Sequence, residues 1–396
     1  MHIVIIFHNL GGYHIARLRA AQKLLADKHF TLTAIQETAS TGEHPWGSIN
    51  EKITFPLITL IPSPELNQLG EINPQSPIAA QRLPAYLNKI KPDIIVIPGW
   101  GFPIARTALS WAHRHKILTI LMSDSKWDDE PRQWWKEKIK SLLYVNKFHG
   151  ALVAGNAHKE YLIRLGMKKT SIFLGYDVVD NHHFSPQTQK ARQNLAQPHP
   201  SENVPPPVPY FIIVSRFVPR KNILLLLNAY LKYYQENQDQ AWNLVICGSG
   251  IQEHAIREFI QVHSLDSVVH LPGFISYQDM PQWYAKAKAL IHPALQEQWG
   301  LVVNEAMAAG LPVLGSNRCG CFEDLVMEGV NGFGFDPENQ QQLTQLMLKM
   351  SSGEVDLEAM GQASLNHIQK YSPDYFAQGL QQAVEFAINK KTDQQT

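Results

Sequence analysis

Two glutamates, Glu297 and Glu305, stand with seven residues between them in the stretch HPALQEQWGLVVNEAMAAGLPVLGSN. The apolar run AKALIHPA places Glu297 in a following loop. The pattern from Gly300 onward predicts a helix, with Glu305 in its first turns. Both carboxylates then stand near backbone N–H groups that the helix itself cannot pair. Such a helix end suits an anion, and a pyrophosphate in particular. Carboxylates to either side could hold hydroxyls, which is the layout of a nucleotide sugar: sugar, diphosphate, ribose. A solvated pair of glutamates on a helix face is the plainer account of this spacing taken alone.

Cations occur where a diphosphate would need them. In IIVSRFVPRKNILLLLNAY, Arg216 lies just past a strand and Lys221 five residues on, near a helix start. Two fixed cations supply charge-assisted hydrogen bonds and stabilise a negative leaving group; Arg220, in the same turn, is an alternative partner. The run CGSG follows a strand, but Glu253 occupies the third glycine position of a G-x-G-x-x-G fingerprint. Gly248 and Gly250 therefore predict a tight strand-to-helix turn. Gly11 and Gly12 follow the strand HIVIIFH, where glycine lets backbone approach a ligand closely. His8 and His14 flank them and read as structural. Asp124 closes the strand ILTILMS, at a strand end where ligands of open parallel sheets collect. It could hold an acceptor hydroxyl, or simply cap a turn.

The elements that must position these residues alternate along the chain. HIVIIFH, TLTAIQ, KITFPLITL, DIIVIPG, ILTILMS, GALVAG and TSIFLG read as buried strands with helical patterns between several of them, which predicts parallel α/β. A second alternation begins at PYFIIVSRF. Between them SPQTQKARQNLAQPHPSENVPPPVPY is polar and Pro-rich and reads as a linker. SPDYFAQGLQQAVEFAIN, 372–389, predicts a final amphipathic helix. A length of 396 residues suits two domains. Residues 1–180 carry 21 Lys+Arg against 15 Asp+Glu, and the remainder reverses the balance, so the formal charge sums to zero. That argues against general nucleic-acid binding. Cys247 reads as a buried strand residue and Cys319-Gly320-Cys321 as a loop. Three scattered cysteines, no basic leader and no membrane-length apolar run lead to the expectation of a cytoplasmic protein. Residues 132–147, RQWWKEKIKSLLYVNK, mix Trp134, Trp135, Ile139, Leu142 and Leu143 with lysines. The preferred reading packs this helix on its domain with snorkelling lysines; the other lays it on an anionic membrane.

From Leu290 to Asn339 the chain resembles the donor-binding half of retaining glycosyltransferases of the GT4 type, in the Glu pair, EAMAAGLPVLGS and GVNGFGFDPEN taken in order. The resemblance implies a GT-B fold: two Rossmann-like parallel-sheet domains facing across a cleft, with the C-terminal helix crossing back to the first. The boundaries expected are 1–186 for the acceptor domain, 187–209 for the linker, 210–370 for the donor domain and 371–396 for the returning helix. It implies that Arg216 and Lys221 clamp the donor diphosphate, that the N–H groups of Gly300, Leu301 and Val302 face it, and that Gly11, Gly12 and Gly248 approach it. Glu305 would take the ribose, Glu297 the transferred sugar, and the chain at Phe274 the base. The partners implied are a nucleotide sugar and a hydroxyl-bearing acceptor. No D-x-D occurs, and with the cations in place no metal or other cofactor is expected. The family's usual histidine after DIIVIPG is replaced by Pro98-Gly99-Trp100, which leaves Asp124 as the acceptor-side candidate. A GT-B-fold epimerase, hydrolase or phosphorylase, or a non-catalytic nucleotide-sugar binder, are the rival readings.

Overall fold

A computed structural model describes residues 1–38, 53–62, 77–193 and 204–393. The chain forms two units, Met1–Asp180 with Tyr371–Thr396, and Asn181–Lys370. The first runs β1 (His2–Phe7), α1 (Gly12–Ala26), β2 (Thr31–Thr38), β3 (Leu57–Ile61), α2 (Ile78–Ile90), β4 (Ile94–Pro98), α3 (Pro103–His115), β5 (Leu118–Ser123), α4 (Trp134–Leu143), β6 (Gly150–Val153), α5 (Asn156–Arg164) and β7 (Ile172–Leu174). Among the described residues its sheet has the order β3-β2-β1-β4-β5-β6-β7, parallel throughout. The strands are nearly continuous apolar runs because helices cover both faces. Ile95, Ile97 and Leu121 face one buried cluster, and Ile94, Val96 and Ile120 face the other. The strand order reverses between β1 and β4, which opens a crevice at their C-terminal ends.

The second unit runs α6 (Asn181–Gln193), β8 (Tyr210–Val214), α7 (Ile223–Asn237), β9 (Asn243–Cys247), α8 (Glu253–Val262), β10 (Val269–Gly273), α9 (Met280–Lys286), β11 (Ala289–His292), α10 (Leu301–Ala308), β12 (Val313–Ser316), α11 (Phe322–Leu325), β13 (Gly332–Phe335), α12 (Gln340–Ser351) and α13 (Leu357–Ile368). Its parallel sheet has the order β10-β9-β8-β11-β12-β13, with the reversal between β8 and β11. The last helix, α14 (Pro373–Asp393), groups with the first unit. It sets Phe376, Leu380 and Val384 into the cluster built by Ile15, Leu18 and Leu25 of α1.

Two segments differ from the sequence reading. Residues 181–186 read as the end of the first domain and 187–209 as linker, but 181–193 form one helix, α6, on the second unit. Phe184 is fully buried against Tyr277 and Tyr284, His183 stacks on Tyr277, and Arg192 Nη2 donates to Ala309 O at 2.8 Å. One large apolar residue in thirteen leaves no periodicity to read. Residues 194–203 of that linker lie outside the described residues.

Helix α4 is reversed relative to the preferred reading. Its polar side faces inward: buried Glu137 accepts from Lys140 Nζ (2.8 Å) and from Tyr161 OH (2.7 Å), with Arg132 at 3.8 Å. Trp134, Trp135, Ile139, Leu142 and Leu143 are exposed. A helical pattern shows that a stripe exists, and not which side of it meets protein. Among the described residues no helix is long and apolar enough to cross a membrane.

Candidate functional site

In the second unit Arg216, Lys221, Glu297 and Gly300 gather at the switch point. β8 ends at Val214 and leads to Arg216; β11 ends at His292 and leads into the loop that carries Glu297. Lys221 Nζ contacts Glu297 Oε2, in an ion pair whose side chains are only 13% and 12% exposed. The turn that presents Lys221 is locked by Asn222, which takes a left-handed conformation (φ 61°) and donates Nδ2 to Pro293 O (3.2 Å) and Pro337 O (2.7 Å). Leu295 N donates to Arg220 O at 2.9 Å, which ties the two loops directly. A third loop, after β12, joins through Gly320 N to Glu297 O (3.0 Å) and Cys321 N to Trp299 O (3.1 Å).

Gly300 caps α10 with φ 104°, and Leu301 and Val302 open the helix. A Cβ at Gly300 would lie 2.8 Å from Cys319 Sγ, 3.3 Å from His292 Nε2 and 3.4 Å from Glu297 Cγ, so glycine is required on both conformational and steric grounds. Val303 N donates to Gly300 O at 2.9 Å, and the N–H groups of Leu301 and Val302 are the ones a helix start leaves without intrahelical acceptors. Burial, with Arg220 and Arg216 alongside, pulls the Lys221 ammonium down to about 8. The Glu297 carboxylate in contact with it acts the other way. His292, buried at the end of β11, brings Nε2 to 3.5 Å from Glu297 Oε2. The site is thus an alternation of charges: three cations on the β8 side, one carboxylate, and a helix N-terminus.

Glu305 is 5% exposed and accepts from Tyr284 OH at 2.8 Å. Phe274, just past β10, is exposed. Gly248 (φ 136°) makes the predicted tight turn: a Cβ there would lie 1.9 Å from Ser215 O, and its N–H donates to Gly273 O at 2.8 Å. The two thiols of the C-x-C are buried, with Sγ atoms 3.4 Å apart and Cys319 Sγ donating to Trp299 O. Among the described residues no three His, Cys, Asp or Glu side chains form a group that could hold a metal ion.

In the first unit Gly11 and Gly12 are buried at the start of α1, and Gly11 is extended (φ −113°), so the turn itself does not demand glycine. His8 Nδ1, just past β1, contacts buried Glu37 of β2, and His14 Nδ1 accepts from Gly11 N at 3.0 Å. Asp124 follows β5 and is half-buried, with the buried Asp177 and Arg17 as charged neighbours. Burial and the nearby Asp177 push its carboxyl up to about 7, and burial raises Asp177 to about 6 against the opposing pull of Arg17. Arg17 Nη2 lies 3.4 Å from Asp177 Oδ1, and its Nε donates to Val178 O at 2.8 Å.

Residues 197–367 match the family described as glycosyl transferases group 1. Over 174 residues the chain is 25% identical to an uncharacterised glycosyltransferase of Methanocaldococcus jannaschii, covering 44% of this chain and 47% of that one. A crystal structure of a glycosyltransferase from Rickettsia africae superposes over 97% of this chain and 98% of its own, with a TM-score of 0.70 at 16% identity. The Anabaena protein HepE, solved in complex with UDP, does so over 97% and 100%, with a TM-score of 0.69 at 17% identity. The chain resembles the group 1 glycosyltransferases over residues 197–367, which lie within its second unit. Its fold is that of the GT-B members, carried by the two parallel sheets and the helix that returns to the first unit. The chain spans less than half the length of the first curated relatives it matches.

Sequence reasoning singled out Arg216, Lys221, Glu297, Gly300 and Glu305, and the structure brings the first four into one loop cluster with Glu305 on the helix that follows. It passed over His292 and Tyr284, which meet the two glutamates. The signal for His292 was a polar residue closing the buried strand of ALIHPA. No local signal joins Asp124 to Arg17, because the partners lie on separate elements.

Proposed function

We propose that the chain transfers a glycosyl group from a nucleoside-diphosphate sugar to an acceptor hydroxyl, with retention of configuration, as in the GT4 type, and without a metal. The Lys221–Glu297 pair at the switch point, beside Arg216 and the N-terminus of α10, is the observation that carries the reading. The diphosphate takes Lys221, Arg216 and the N–H groups of Gly300, Leu301 and Val302. Glu297 then exchanges its cation for hydroxyls of the sugar, beside the anomeric carbon where positive charge develops. Glu305 accepts from the ribose, and the main chain at Phe274 meets the base. As the C1–O bond breaks, charge grows on the leaving phosphate and the fixed cations stabilise it most in the transition state. On the first unit Asp124 holds the acceptor hydroxyl and accepts its proton, a role that suits a carboxyl held near neutrality. The new bond forms to that oxygen, and the nucleoside diphosphate departs with the electron pair.

The Anabaena neighbour was also solved with UDP-glucose, which makes UDP-glucose the first donor to try. A panel of nucleotide sugars should produce one clear rise in melting temperature. With that donor, transfer to an acceptor and NMR of the product anomer test the reaction, and EDTA tests its independence of metal. No stabilisation by any donor overturns the reading. UDP release that is unaffected by every acceptor converts it to hydrolysis or epimerisation.

A further inference from the structure

Among the described residues the outward face of α4 has no partner. Trp134 is 79% exposed and Leu142 59%, and Trp135, Ile139 and Leu143 complete an apolar stripe with helical spacing. The same helix is fastened to its unit by polar groups, through Glu137 with Lys140 and Tyr161, and through Ser141 Oγ donating to Leu165 O at 2.5 Å. Trp127, just before it, is also partly exposed and lies under the guanidinium of Arg164. In a water-facing helix the chemistry would run the other way round.

Charge selects the occupant. Lys136 and Lys138 are exposed beside the stripe and Lys147 just beyond it, and the turn after α5, tied to the helix through Leu165, adds exposed Lys168 and Lys169. The one carboxylate on the helix, Glu137, is buried and paired. The exposed acids upstream are matched as well, Asp128 by Lys126 and Glu130 by Arg132. A second copy docking on this face would set lysines against lysines. A bilayer with anionic headgroups satisfies both features, with indoles at the interface, aliphatic side chains below it and ammonium groups on the phosphates. The helix is about 15 Å long, enough to lie in the interface and far too short to span it.

We propose that α4 docks this protein, reversibly, on an anionic membrane surface, independently of the reaction assigned above. Flotation of the full-length chain with phosphatidylcholine vesicles, and with vesicles that also contain phosphatidylglycerol, tests it. Binding is expected to the anionic vesicles only, and to weaken as salt is raised. The double variant Trp134→Ser, Leu142→Ser changes exposed residues alone and should keep the wild-type melting temperature and donor-induced shift while losing vesicle binding about tenfold or more. Lys136→Glu with Lys138→Glu should lose the preference for anionic lipid. Failure of the wild type to float with anionic vesicles at low salt overturns the proposal, as does a double variant that floats unchanged. Concentration-dependent dimerisation that the double variant abolishes, without vesicle binding, assigns the face to a second copy instead.

Discussion

Lys221 and Glu297 are each other's partners until a ligand arrives, so each mutation has a sign. In the proposed reaction Lys221→Ala strips a cation from the leaving group, and kcat should fall by about 10²–10³-fold while donor affinity changes far less; an effect on KM alone would remove it from the chemistry. Burial and its arginine neighbours bring Lys221 down to about 8, so kcat/KM should decline as pH rises through that region, and Lys221→Arg should move the decline upward. The role proposed for Asp124 has the opposite sign, since a carboxyl accepts a proton only when ionised and transfer should therefore fall below about pH 7. Asp124→Asn should slow transfer by about 10²–10⁴-fold with donor binding intact. Both Asp124 and Asp177 are held above the ordinary carboxylate range. The folded unit therefore keeps protons that the unfolded chain has released. Their contribution to stability is present in acid and is lost as pH rises from about 4 through about 7. The melting temperature of Asp124→Asn should vary less over that window than the wild type's. The second-unit residues were legible because they lie in two short motifs, 216–221 and 297–305, in each of which a strand end, a loop and a helix start set the spacing. Arg17 and Asp177 were not, because their meeting with Asp124 depends on how three elements pack.

At the scale of elements the strands were the most legible features, since burial on both faces writes them as apolar runs, and the helix-opening glycine came with the motif. Gly300→Ala should cost about 1–3 kcal/mol from its left-handed backbone, and more from the approach of a Cβ to Cys319 Sγ at 2.8 Å. Thermal unfolding checks the stability, and donor titration checks whether the loop still presents Glu297. Helix α6 was missed for want of apolar residues, and α4 was turned inside out. A stripe on a helical wheel is symmetric between a core and any other apolar surroundings. Only Glu137, fixed by Tyr161 and Lys140, breaks the tie.

At the scale of the molecule, the change of charge along the sequence follows the two units closely, with the basic excess in residues 1–180. The first unit is closed by a helix from the far end of the chain. Leu380→Ala, at a fully buried position, should cost that unit about 2–5 kcal/mol. Limited proteolysis should then find Met1–Asp180 cut first while Asn181–Lys370 resists, and equal sensitivity of both would show that the units do not unfold separately. The same helix sets an order in time. On the ribosome, β1 to β7 emerge early but lack Phe376, Leu380 and Val384, and the 190 residues of the second unit must be made before these arrive. At about 5–20 residues per second that is a delay of roughly 10–40 s. The unit that is synthesised first therefore receives its closing helix last, after the whole of the second unit has been made.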